Sequence, residues 1–439
     1  MPDKPSQRRP KRSKAYAVRE RTKTQTAELP LWPEKVEGGS LVRMLEKHVA
    51  ALRDETAHGN RELFLDDIFV VYLLAFFNPT LRTLRTVEDF SQTRQAQRHL
   101  TTPRICKSTL SDFHKLADAE RLQPIIGELR AALGRKSAGG RTPADLPNLL
   151  KQVLAVDGTF FSAAADVAWA VGHRNQRSGT RYRARLDVHV DVQTWLPEIV
   201  VVPEPGEGEA HSAARTVTPG AIHVYDRGIA SFEMLAAHYT SGDGPWTPQA
   251  HFVLRMKKPG SGGFAFVATE QRTPSAAAQA AGIESDRLGY LPGSRSSKAP
   301  PIVVREITIR MADGEQLRLL TNLLDVEPEI IGSLYRHRWQ VELFFRWLKC
   351  YAHFDHLISH SRQGVLLNFY VVVIGVMLMY LHTGGRPSKY AFGLLGLLAQ
   401  GGEATLDDLL PILRERERQC ERDRQSAALR RAKKKAQAQ

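Results

Sequence analysis

Cysteine is scarce: 439 residues hold only Cys106, Cys350 and Cys420. Few, widely spaced and odd in number, they argue against a disulfide framework and favour a reducing compartment. No apolar run follows the basic start "MPDKPSQRRPKRSK", so no secretory signal is expected. No internal repeat is visible, which argues against a repeat architecture. Apolar runs of membrane length are missing save one, "GVLLNFYVVVIGVMLMYLH" at 364–382. A lone span there would have to leave its own compact unit at once, so it reads as a buried core helix, and no membrane partner is expected.

Cationic excess is also missing from most of the chain. The net charge is +14, yet residues 1–25 hold nine Lys/Arg against two acids and residues 412–439 hold ten against four. Residues 26–411 are therefore almost neutral. Basic tails attract polyanions in a salt-sensitive way without naming one.

The hydrophobic share of 42% and charged share of 25% fit a globular chain long enough for two or three domains. Residues 1–35 read as a basic disordered tail. Residues 36–135 carry apolar positions at three- and four-residue spacing, a helical and DNA-binding domain in prospect. Within it "RICKSTLSDFHKLAD" reads as a turn into a helix with Ser108 as N-cap. Lys107, Thr109 and Ser111 there could face DNA, with ordinary bundle packing as the rival reading. Residues 136–149 are a Gly/Pro-rich linker. From 150 to 244 the pattern is three strands, helix, strand, helix, with "RYRARLDVHVDV" and "WLPEIVVVP" forming a hairpin. Residues 245–328 read as a β-rich insertion, 329–400 as the second part of the same domain, and 401–439 as a basic helical tail.

One stretch concentrates chemistry. In "YRHRWQVELFFRWLKC", 335–350, steps of about 100° place Tyr335, Arg338, Glu342, Arg346 and Lys349 in one stripe. That stripe borders the apolar face instead of opposing it, which suits a helix at the rim of a cleft. Asp157 in "VDGTF" and Asp226 in "VYDRG" each end a predicted strand, where terminal residues can share a crevice. Alone, the Asp-Gly pair at Asp157 is an ordinary turn signal, and Asp226 in "DRG" could begin a turn likewise. Should the three carboxylates converge, two of them about 4 Å apart would repel by roughly 4 kcal/mol at an effective dielectric of 20. A cation resolves that, and Mg²⁺ accepts a few carboxylates while keeping places for phosphate oxygens. Cys350, His353, His356 and His360 form a competing zinc pattern, less suited to phosphate chemistry.

Taken together, "VDGTF", "VYDRG" and Tyr335-x2-Arg338-x3-Glu342-x6-Lys349 resemble the DDE transposases of the insertion-sequence 4 family, whose Y-R-E-K signature is present at all four positions. The resemblance covers about 150–385. It implies an α/β fold with a ribonuclease-H-like catalytic core interrupted by a β-rich insertion, plus the N-terminal helical domain. By that resemblance Asp157, Asp226 and Glu342 are catalytic and bind two Mg²⁺ ions, with Mn²⁺ able to substitute, while Tyr335, Arg338 and Lys349 contact DNA. The implied partners are transposon-end and target DNA and a second copy of the chain in a synaptic complex. The implied location is cytoplasmic, nucleoid-associated and bacterial. The implied reaction frees 3′-hydroxyls at element ends and joins them to a target. An inactive DNA-binding relative and a nuclease without strand transfer are the alternatives. Arg227, Arg255 and Lys257 are further phosphate-contact candidates. The chain departs from the family at Ile229, where an aromatic usually follows "DRG". Trp246 receives no role.

Overall fold

A computed structural model describes residues 45–53, 63–78, 81, 83–137, 153–162, 171–175, 179–204, 206–240, 246–257, 264–293, 300–311, 313–350, 358–359, 361–383, 390 and 406–437. The helical elements begin with α1 (Glu46–Ala51), α2 (Leu65–Phe77), α3 (Leu84–Ser91), α4 (Arg94–Gln97), α5 (Lys107–Leu116) and α6 (Gln123–Ser137). Then come β1 (Val153–Ser162), β2 (Val171–Asn175), β3 (Gly179–Asp191), β4 (Pro197–Val201), α7 (Glu209–Arg215), β5 (Ile222–Tyr225) and α8 (Phe232–Ala236). Next are β6 (Tyr239–Thr240), β7 (Thr247–Pro248), β8 (His251–Arg255), β9 (Val267–Arg272), α9 (Ala276–Ala280), β10 (Ile283–Leu291), β11 (Ile302–Arg310) and β12 (Gln316–Thr321). The order ends with α10 (Pro328–Arg336), α11 (Trp339–Cys350), α12 (Arg362–Thr383) and α13 (Leu406–Gln437).

Two compact units emerge: Met1–Lys136 with Trp347–Gln439, and Ser137–Arg346. In the helical unit α12 is apolar all round, long enough for a membrane span and 83% buried. Such burial is that of a core helix. It packs against α2 and α5, and Gly375 meets the Phe76 ring where any larger residue would collide. Tyr370 on α12 donates its hydroxyl proton to Glu120 at 3.0 Å and accepts from the Gln123 amide at 2.8 Å. Helix α5 starts at Lys107 with Cys106 as its N-cap. Ser108 is therefore not the cap; Cys106 already has the extended backbone that ends the preceding loop. Lys107, Thr109 and Ser111 are exposed, while Leu110, Phe113 and His114 are buried. The basic tail 1–35 and the His353, His356 and His360 positions of the zinc pattern lie outside the described residues.

The other unit is built on one ten-stranded sheet, ordered β2-β3-β1-β5-β8-β12-β11-β10-β9, with β4 also on β3. β1, β5 and β8 run parallel, and the remaining pairs are antiparallel. The parallel centre follows from composition: Val153–Val156 and the whole of β5 are buried apolar or aromatic runs, which need cover on both faces. The predicted hairpin forms as β3–β4. β9 to β12 do not make a sheet of their own; β12 pairs with β8 and carries the same sheet onward. β9, nearly all exposed and carrying Glu270 and Arg272, ends it as a blunted edge. A core cluster runs from Val156 and Tyr225 through Met234 and Phe252 to Val304 and Leu320, so both halves share one interior.

Candidate active site

Strand register carries the two aspartates to one level. Val156 pairs with Tyr225 between β1 and β5, and Tyr225 pairs with Leu254 between β5 and β8. The next residue along each strand is Asp157, Asp226 and Arg255. They stand abreast at the carboxyl end of the parallel ladder, the edge at which α/β sheets gather ligands; Asp157 does not end its strand as expected, because β1 runs on to Ser162 paired with β3. Arg255 Nη1 lies 3.9 Å from Asp226 Oδ1.

Helices α10 and α11 deliver the remaining groups. Pro328 opens α10 at a position where its missing N–H costs nothing. Ile331, Leu334 and Tyr335 are buried as α10 packs on β5, β8 and β10. The stretch expected as one helix is two. At His337–Arg338 the backbone makes i→i−3 bonds, His337 to Leu334 and Arg338 to Tyr335, which tighten the turn before α11 resumes. The pinch brings Tyr335, Arg338 and Glu342 together. Tyr335 donates its hydroxyl to Asp226 Oδ1 at 3.2 Å. Arg338 donates Nη2 to Glu342 Oε1 at 2.5 Å and sets Nη1 3.6 Å from Asp157 Oδ2. Its guanidinium carbon lies 5.9 Å from the Tyr335 ring centre.

Five of the six residues expected at the site thus form one linked network. Lys349 stands two turns beyond Glu342 on α11, half-buried, in the stretch that belongs to the helical unit. Arg227 and Lys257 are exposed. Ile229 is buried in the core cluster beneath the site, which gives the departure from an aromatic a packing role. Trp246 lines a cavity of about 270 Å³ with Tyr239, Pro300, Pro301 and Val303, and none of the three carboxylates lines it.

Negative charge is in excess here. Burial pushes Asp157 up to about 6, against the pull of Arg338 and with Glu209 and Glu342 adding to the rise. Burial and the adjacent Asp226 likewise push the Tyr335 phenol up. Among the described residues no three His, Cys, Asp or Glu side chains form a ready cation cage. Arg338 takes the cation's place between Asp157 and Glu342, and its buried Nε has no hydrogen-bond partner. The oxygen-only donors suit a hard divalent ion, provided Arg338 turns aside.

Sequence reasoning missed a neighbour of this network. A Cβ built on Gly158 would lie 2.8 Å from Asp187 Oδ1 and 3.2 Å from Glu209 Oε1, and one on Gly228 would lie 3.9 Å from Glu209 Oε2. The Glu209 carboxylate, on the first residue of α7, therefore lies near Gly158 within β1 and Gly228 after β5. Its only prior signal was an acid opening a short predicted helix.

Residues 148–378, more than half of the chain, match the family described as Transposase DDE domain. A proposed transposase of Sinorhizobium fredii, y4zB, is 28% identical over 278 residues, covering 60% of this chain and 69% of the relative. A proposed transposase for the insertion sequence element IS4SA of Synechocystis is 20% identical over 288 residues, covering 62% of this chain and 71% of the relative. A solved piggyBac transposase synaptic complex with hairpin DNA aligns with 80% of this chain and 74% of that chain, at TM-score 0.36 and 9% identity. The matched region takes in both aspartates, the glutamate and the tyrosine–arginine pair, and the chain belongs to the family of DDE-domain transposases.

Proposed function

We propose that this transposase works by cut-and-paste chemistry, freeing 3′-hydroxyls at element ends and joining them to target DNA. The observation that carries the reading is the single network in which Asp157, Asp226 and Glu342 meet Tyr335 and Arg338. Asp157, Asp226 and Glu342 are the residues that would hold two Mg²⁺ ions, or Mn²⁺ in their stead. A bound pair of such ions activates the attacking water or hydroxyl and stabilises the departing oxygen of an in-line displacement.

The chain's own groups do the rest. Burial makes the Asp157 charge costly without a cation, so the pocket favours a state in which positive charge is present. Arg338, released from Asp157 and Glu342, offers a planar fork to phosphate oxygens. Tyr335, released from Asp226, offers a hydroxyl donor or a ring face. Lys349 supplies a point charge from the same helix. The mixed sheet with both aspartates on adjacent parallel strands supports a ribonuclease-H-like reading of the core. Joining two ends calls for two copies in a synaptic complex, acting on DNA in the cytoplasm.

The test incubates purified protein with its element ends and Mg²⁺. Nicks exposing 3′-hydroxyls together with joined products are expected. Nicks alone would mark a nuclease, and binding without nicks an inactive relative. Asp157→Asn should keep end binding and lose cleavage by on the order of a thousandfold or more; unaltered cleavage removes Asp157 from the site.

A further inference from the structure

Two more carboxylates lie beside Asp157, and they differ in what holds them. Asp187 on β3 is buried and gripped by Arg185, whose Nε and Nη2 donate to its two oxygens at 2.8 and 3.1 Å. That charge is matched one for one. Glu209 is half-buried, and the described residues provide it neither a hydrogen bond nor an ion pair within 4 Å. Its two oxygens face Gly158 and Gly228, the glycines that follow Asp157 and Asp226. At Gly158 the Asp187 and Glu209 carboxylates take the space a Cβ would need, and at Gly228 the Glu209 carboxylate is at ordinary contact distance. The cation felt at Glu209 is Arg185, which is already bonded to Asp187, while Glu209 adds to the rise of Asp157; a partly buried carboxylate that has to share its cation is completed by a further one.

We propose that Glu209 is a fourth carboxylate of the divalent-metal centre, facing the same ions as Asp157 and Asp226. The proposal rests on the metal reading above and adds to it a residue that lies outside the D-D-E pattern. Asp187 is not included, because Arg185 already satisfies it. Gly158 is where a side chain would be excluded, because the Asp187 and Glu209 carboxylates both approach β1 beside Asp157.

Full-length protein and Mn²⁺ alone suffice for the test. Mn²⁺ uptake, followed by the loss of its free-ion paramagnetic signal, is compared for the wild type, Glu209→Gln, Glu209→Asp and Asp157→Asn. Glu209→Gln is expected to bind at least about tenfold more weakly. Glu209→Asp, which keeps the charge on a shorter stem, should fall between it and the wild type. Thermal melting supplies a second readout. Without metal, Glu209→Gln should melt at or above the wild-type temperature, because a like charge has been removed; with Mn²⁺ it should melt below. A variant that melts lower by the same amount with and without Mn²⁺ has lost a structural contact only, and the proposal falls. It falls equally if Glu209→Gln binds Mn²⁺ like the wild type while Asp157→Asn does not. Should Asp157→Asn also bind like the wild type, or the wild type take up no Mn²⁺, the metal reading itself is overturned.

Discussion

In the antiparallel half of the sheet Arg305 is 4% exposed and grips Asp286 through two hydrogen bonds of 2.7 and 2.6 Å, with further bonds to the carbonyls of Leu324 and Val326. Glu306 beside it is held by both Arg287 and Arg318. In the parallel half one arginine, Arg338, serves two carboxylates, touches one closely and the other at 3.6 Å, and leaves its Nε unpaired. The same residue types, in one sheet, are arranged to opposite ends. Where cations match or outnumber carboxylates, the network ties β10 to β11 and to the loop after β12. Where carboxylates outnumber cations, the fold has left charge to be completed from outside. Local under-satisfaction of this kind is what separates a working site from a structural one.

The comparison is broken most severely by unpairing the structural half. Asp286→Ala leaves the Arg305 cation buried with only carbonyl partners, and should cost about 3–5 kcal/mol in urea unfolding. Replacing Asp286 and Arg305 together by apolar residues of similar volume should recover most of that loss, since a buried pair is weak evidence of net stabilisation. A cost below about 1 kcal/mol for Asp286→Ala would mean that this half is no better satisfied than the site.

An intermediate effect with the opposite sign is expected at Asp157. Its folded value of about 6 lies above the ordinary 3.8. A carboxyl raised on folding contributes stability that is complete below the unfolded value and is lost as pH rises through the folded one. Metal-free wild type should therefore lose about 2 kcal/mol between pH 4 and pH 7 relative to Asp157→Asn, which has no such proton to release. The measurement is the difference between the two proteins' unfolding free energies across that range, in which Asp187, raised in the same direction, cancels, and Glu209 enters only through its coupling to Asp157. A difference that stays flat with pH would show that Asp157 is already neutralised by Arg338.

Much of this was legible beforehand. Asp157 and Asp226 could be placed because each follows an apolar run, although the glycine after Asp157 marks no turn and β1 continues to Ser162, and the buried nature of α12 followed from its unbroken apolar composition. Other features depended on distant partners. Strands β9 to β12 are visible as segments, but only pairing of β12 with β8, more than 60 residues earlier, shows that they prolong the central sheet. β2, "VGHRN", has no alternating pattern and owes its extended form to β3. The pinch at His337–Arg338 was invisible to a wheel that assumes equal steps, although it is what brings Arg338 between Asp157 and Glu342. Glu209 escaped notice because an acid at a helix start is ordinary.

The smallest effect concerns how α10 is seated. A Cβ on Gly332 would fall 2.8 Å from Cδ1 of Ile309 on β11, the free end of a side chain that can rotate away. Gly332→Ala also gains helix propensity of about 0.8–1.0 kcal/mol, so the two terms nearly cancel and the net change should stay within about 1 kcal/mol. Ile309→Val removes the contacting methyl, at a cost of about 0.5–1.5 kcal/mol alone, and should couple favourably with Gly332→Ala in a double-mutant cycle. If Gly332→Ala costs more than about 3 kcal/mol and Ile309→Val gives no relief, the backbones of α10 and β11 are in contact-limited register. In that case the position of Tyr335 over Asp226 is set by the antiparallel half of the sheet, and the two halves contrasted above act on the site as one.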